Sequence, residues 1–152
     1  MLPDDEVTYI DAYCDKAEEK GRERCLDEGA SLLRSLMDDS QVDQKRLFYY
    51  LVLCLNADGF VTQWEFDLIS PLAARNDLHF DTPRDMTNWI RTQNMALMRE
   101  KETKHMKSIV DASSKKTRDR YLQVGLLLGA CDGRVSEYER LFLLDIFGYD
   151  YK

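Results

Sequence analysis

Apolar residues return every three or four positions along most of this chain, and that spacing predicts helices throughout. A first, strongly charged helix opens at Asp4 or Asp5 and weakens near Gly21. A second runs from about Glu23 to Met37, where Cys25, Leu26, Leu32, Leu33 and Leu36 form an apolar stripe. Ser40 is the expected cap of a third helix, with Asp43 three residues later, and the helix continues through LFYYLVLCLNA. That run is apolar on every side, which places it in the middle of a bundle. The next helix begins at Thr62 and ends near Arg75, and NDLHFDTP follows as a connector closed by Thr82 as cap and Pro83 at the first helical position. Beyond it, Trp89, Ile90, Leu97 and Met98 are expected to face one way. Tyr121 to Ala130 repeats the character of the third helix, with Gly125 and Gly129 one turn apart, a spacing that permits close contact. The last helix runs from Ser136 to Phe147 and stops at Gly148 in a left-handed conformation. The pattern as a whole predicts an all-α fold, a compact bundle of about seven to eight helices.

Composition agrees with this pattern. The chain has 152 residues, 44% of them apolar, enough for one domain with a full core. Seven Gly and three Pro leave little material for the turns of a sandwich or barrel. Cys14, Cys25, Cys54 and Cys131 lie far apart, in no C-x-x-C or His-paired zinc spacing, and read as reduced, mostly buried thiols. The start, MLPDDEVTYI, lacks the basic and apolar runs of a signal peptide, so a cytoplasmic location is expected. Leu47 to Leu55 and Leu122 to Leu128 are far shorter than the roughly 20 residues that span a bilayer, and no membrane insertion is expected.

The net charge of −7 is unevenly spread. Residues 1–43 carry thirteen acids and five bases, whereas residues 99–120 carry eight bases and four acids. The basic stretch has no interleaved aromatic residues for base stacking, which argues against nucleic acid and favours a solvated helix pair. Contact with the acidic N-terminal segment, or with a protein partner, is the next reading.

One feature recurs. LCLNADGFVTQWEFDLI, residues 53–69, aligns without gaps on LLGACDGRVSEYERLFL, residues 127–143, at a constant offset of 74. The matched pairs are Asp58/Asp132, Gly59/Gly133, Val61/Val135, Thr62/Ser136, Trp64/Tyr138 and Glu65/Glu139. Mechanically, the glycines end one helix at positive φ, the hydroxyl and Glu form a capping box for the next, and the valines tuck inward as staples. Capping does not require Asp58 or Asp132, because an acid at a helix C-terminus faces the unfavourable end of the dipole. The second reading is therefore a divalent-cation site, calcium or magnesium, on Asp58, Glu65, Asp132 and Glu139. With Glu65 at position 12 of an EF-hand loop, Asp58 falls at 5 and Gly59 at 6, but positions 1 and 3 become Cys54 and Asn56, and in the second copy Leu128 and Ala130. Calcium's anchoring acids are missing, so an orthodox EF-hand is not expected, and a degenerate one would bind weakly, on the order of 10⁻⁴ to 10⁻³ M.

LNADGFVTQWE and GACDGRVSEYE, each following an apolar helix, resemble the TerB-like family, the tellurite-resistance type of bacterial helical domain also attached to membrane-anchored J-domain co-chaperones. The resemblance covers roughly residues 40–147 and implies an all-helical fold with an internal helix-loop-helix duplication. On it, residues 1–152 form a single domain, with repeat-related halves at about 40–76 and 115–148 preceded by acidic helices in 1–39. It also implies a cation at Asp58, Glu65, Asp132 and Glu139. Members often add an acid two residues before the Glu, which Glu137 matches and Gln63 does not.

An enzyme is the weaker expectation, because His79 and His105 sit in a connector and a Lys-rich helix without a placed Ser or Cys partner. What remains is a non-enzymatic binding or scaffold module with a protein partner, either using a metal at its loops or using them as caps only. A homodimer stays open.

Overall fold

A computed structural model describes residues 9–55, 60–148 and 151, and within these the side chain of Asp132 is outside the described set. The described residues form α1 (Tyr9–Glu19), α2 (Arg22–Met37), α3 (Gln44–Leu55), α4 (Gln63–Arg75), α5 (Pro83–Arg91), α6 (Met95–Ala112), α7 (Lys115–Gly129), a 3-10 turn (Ala130–Asp132) and α8 (Glu137–Phe147). No strand occurs among them, and none of their helices is long and apolar enough to cross a membrane.

Most helix starts follow from side-chain caps. Thr62, Thr82 and Ser136 each accept a hydrogen bond from the third backbone N–H of their helix, as the sequence suggested. Three boundaries differ from expectation. Asp43, not Ser40, caps α3, its Oδ1 accepting from the N–H groups of Lys45 (3.1 Å) and Arg46 (3.2 Å). The apolar run through Trp89, Ile90, Leu97 and Met98 is not one face. Thr92 ends α5, Asn94 caps α6, and Leu97 turns outward at 44% exposure. The basic stretch is divided too: Ser114 caps α7, so the apolar segment from Tyr121 is the second half of a longer helix.

The helix predicted to be central is central. Every α3 residue from Leu47 to Leu55 is buried except Tyr49, and α3 packs against α4, α6, α7 and α8. Its crossing with α7 is unusually close. The Tyr50 ring enters the space left by Gly125, where a Cβ would lie 2.5 Å from the phenol oxygen. Fully buried, that hydroxyl donates to the Tyr121 carbonyl at 2.7 Å, so the polar atom is satisfied within the core. The acidic N-terminal helices belong to the same core, through Ile10, Cys14 and Ala17 on α1 and Cys25, Leu33 and Leu36 on α2. Their surface charge is partly neutralised from the basic stretch. Arg120 holds Asp39 at 2.6 Å and donates to Ser35 at 2.9 Å.

Replacing Gly125 with Ala should destabilise the fold by about 1–3 kcal/mol, because the added methyl overpacks against Tyr50. Denaturant unfolding should show a smaller penalty for Gly125→Ala in a Tyr50→Phe background, where the nearest clashing atom is gone. A second expectation concerns acid. The Arg120 guanidinium, and then the Gln41 N–H, hold the Asp39 carboxyl below its usual range. A depressed folded-state value contributes stability above the ordinary aspartate range, and that stability is lost as pH falls through the folded value. Stability measured from neutral pH down to about pH 3 should therefore fall less steeply in Arg120→Gln than in the parent.

Candidate functional site

Both copies of the motif lie at corners between helices, and each corner is built around its capping residue. At the first, Thr62 takes an extended conformation before α4. Its Oγ1 accepts from the Glu65 N–H at 3.3 Å, while Glu65 Oε1 accepts from the Thr62 N–H (2.9 Å) and the Thr62 hydroxyl (2.8 Å). This is the predicted capping box in full. Val61 donates its N–H to Thr87 Oγ1 of α5 at 3.0 Å, and the Thr87 hydroxyl donates in turn to the Pro83 carbonyl at 2.9 Å. Glu65 is 5% exposed and borders an apolar cavity of about 20 Å³ beside Val52, Leu55, Ile69, Met86 and Ile90, room for one water molecule.

The second corner runs through the 3-10 turn to Gly133, whose φ of 95° is the predicted left-handed stop. Val135 is 1% exposed and turned fully inward, whereas Val61 is only half-buried. Ser136 Oγ accepts from the Glu139 N–H at 3.2 Å. Glu139 is 4% exposed, and its carboxylate fits against α7 because residue 129 is glycine: a Cβ there would lie 2.8 Å from Oε2.

The bracing of this corner differs from that of the first. Here the Val135 N–H donates to Glu18 Oε2 of α1 at 2.6 Å. Arg140 completes the joint, donating from Nε to the Val135 carbonyl (3.0 Å) and pairing with Glu18 (3.1 Å), Asp15 (2.9 Å) and Asp11 (3.4 Å). Neither Arg140 nor these acids figured in the sequence reading, although two signals point to them. The aligned position in the first copy is Phe66, so Arg140 breaks the repeat, and Asp11, Asp15 and Glu18 follow helical spacing on one face of α1.

Of the residues assigned to a cation, Asp58 lies outside the described residues, as does the side chain of Asp132, and the expected helix stop Gly59 lies outside them too. Glu65 and Glu139 are buried at their own corners, and Glu137 is exposed. Among the described residues no group of three or more His, Cys, Asp or Glu side chains converges in a way that would hold a metal. All four cysteines are free thiols and buried, and burial pushes Cys14 up to about 12 and holds Cys54 well above the usual thiol range. His79 and His105 are exposed. Comparison with protein-family models, curated proteins and solved structures finds no match in any of the three.

The bracing difference has a measurable consequence. Glu18→Ala leaves the Val135 N–H buried without its acceptor and should cost about 1–3 kcal/mol in chemical denaturation. Thr87→Val should do the same for Val61, and Thr62→Ala should cost about 1 kcal/mol through the lost cap. A Glu18→Gln protein, which keeps an acceptor oxygen, should recover part of the loss.

Proposed function

We propose that this chain is a non-enzymatic helical binding module of the TerB-like kind, and that α6 with its neighbour α8 forms its protein-contact face. The observation that carries this reading is what these helices expose. Leu97, Tyr138 and Leu141 are 44%, 49% and 48% exposed, on the same helices as the exposed Lys101, Lys104 and Lys107. Three cations on other helices are held in pairs: Arg46 by Glu102, Arg120 by Asp39 and Arg140 by three acids of α1. Among the described residues, Lys101 and Lys107 form no ion pair, and Lys104 is only 3.9 Å from Glu100. Apolar side chains interspersed with free cations suit a partner surface that is acidic and partly apolar. The fully buried, strongly raised Cys54 thiol is consistent with a domain that works by contact, not by nucleophilic attack.

Affinity capture on immobilised protein tests the face. A Lys104→Glu/Lys107→Glu/Leu141→Ser variant changes only exposed positions and should lose the proteins that the parent retains. An unchanged set of captured proteins would count against α6 and α8.

The cation reading keeps one favouring observation: both corner glutamates are nearly fully buried, more than a capping box requires. On this reading weak calcium or magnesium binding stabilises the fold by about 1.4 kcal/mol at ten times the dissociation constant, a melting shift of a few degrees. Thermal unfolding with and without millimolar calcium should show that shift, and Asp132→Asn should abolish it. Corners that are caps only would show no ion-dependent shift in either protein.

A further inference from the structure

On its α3 side, α6 borders a trough of about 370 Å³ between the first turns of the two helices. The Arg46–Glu102 ion pair, at 2.6 Å, forms its floor. Glu102 is 4% exposed, and while Oε2 takes the arginine, Oε1 is buried with no hydrogen-bond partner among the described residues. A buried acceptor of this kind is stabilised by any donor that reaches it. Above it on the rim are Lys45 and Lys101, both exposed and in no ion pair among the described residues, with His105 one turn beyond Glu102. Leu97, Met98 and Tyr49 add apolar surface. The start of α6, at the neutral cap Asn94, opens here and adds positive potential, whereas the Asp43 carboxylate already takes the first N–H groups of α3.

We propose that this trough binds an acidic peptide segment of a partner protein, whose carboxylates pair with Lys45 and Lys101 and whose backbone N–H reaches Glu102 Oε1. The ligand must supply an anion and a hydrogen-bond donor within one short span. Inorganic phosphate or a phosphodiester offers acceptors alone and would set them against the Glu102 oxygen. A peptide alternates N–H donors with side-chain carboxylates, and its apolar side chains fit Leu97 and Met98. The proposal rests on the reading of α6 as a contact helix and extends it to the flank that faces α3.

A fluorescein-labelled peptide of alternating Glu and Leu, followed by anisotropy, tests it on the full chain. The peptide should bind saturably, more weakly as salt rises, and Lys45→Glu/Lys101→Glu should weaken it by about tenfold or more. Lys116→Glu, exposed on α7 and outside the trough, should change affinity by less than about twofold. The same peptide methylated on alternate backbone nitrogens should bind about tenfold more weakly, since it cannot donate to Glu102. Circular dichroism of the variants would establish that they are folded. Absence of saturable binding, an equal loss in Lys116→Glu, unchanged affinity of the methylated peptide, or displacement by equimolar inorganic phosphate would each overturn the proposal. The two readings fail separately. If the trough variant still captures the same proteins while the peptide does not bind, the trough is wrong and the contact face stands. If capture survives the α6–α8 variant, the contact face itself is wrong.

Discussion

The insertion of Tyr50 against Gly125 sets the distance between α3 and α7, and both corners hang from those two helices. A phenol fits only where a residue on the facing helix has no side chain, and its oxygen is tolerated only because the Tyr121 carbonyl accepts from it. The same ring lies 6.0 Å from Phe142 and 6.4 Å from Tyr121, centroid to centroid, which ties α8 into the crossing. One buried tyrosine thus fixes the end of α3 that leads to the first corner, the end of α7 that leads to the second, and the helix that follows it.

From that shared frame the two corners diverge in how the chain around them is used. Each must satisfy the inward-turned N–H of its valine. The first does so with a neutral hydroxyl from α5, and the second with a carboxylate from α1 that in turn needs Arg140. The choice has an electrostatic result. Acids that make residues 1–43 so negative are partly committed to Arg140 and Arg120, whereas the lysines of α6 face outward. A chain of net charge −7 therefore carries a positive ridge, an arrangement that steers an acidic partner toward one side.

Burial of the corner glutamates bears on both readings of the motif. In a solvent-exposed capping box the carboxylate keeps its water, but Glu65 and Glu139 are 5% and 4% exposed. For Glu65, the Thr62 hydroxyl and N–H both meet Oε1 and replace part of that water. Glu139 lies in space that exists because α7 carries glycine at 129. The glycine four residues after Gly125 thus serves a carboxylate, not the helix-on-helix contact that the spacing suggested.

What the sequence determined by itself was local. Apolar periodicity fixed the helical class and the central place of α3, and hydroxyl caps with left-handed glycines marked Thr62, Thr82, Ser136, Gly133 and Gly148, because each acts on backbone groups within a turn of itself. Where several cap residues stand close together, as Ser40 and Asp43 do, local chemistry did not choose between them, and packing did. Tertiary structure alone decided which residues met across the fold. Arg46 found Glu102 56 positions away, and Arg140 found Asp11 129 positions away. Those pairings depend on the angles at which whole helices cross, which the volumes of buried side chains set and no repeat in the chain records.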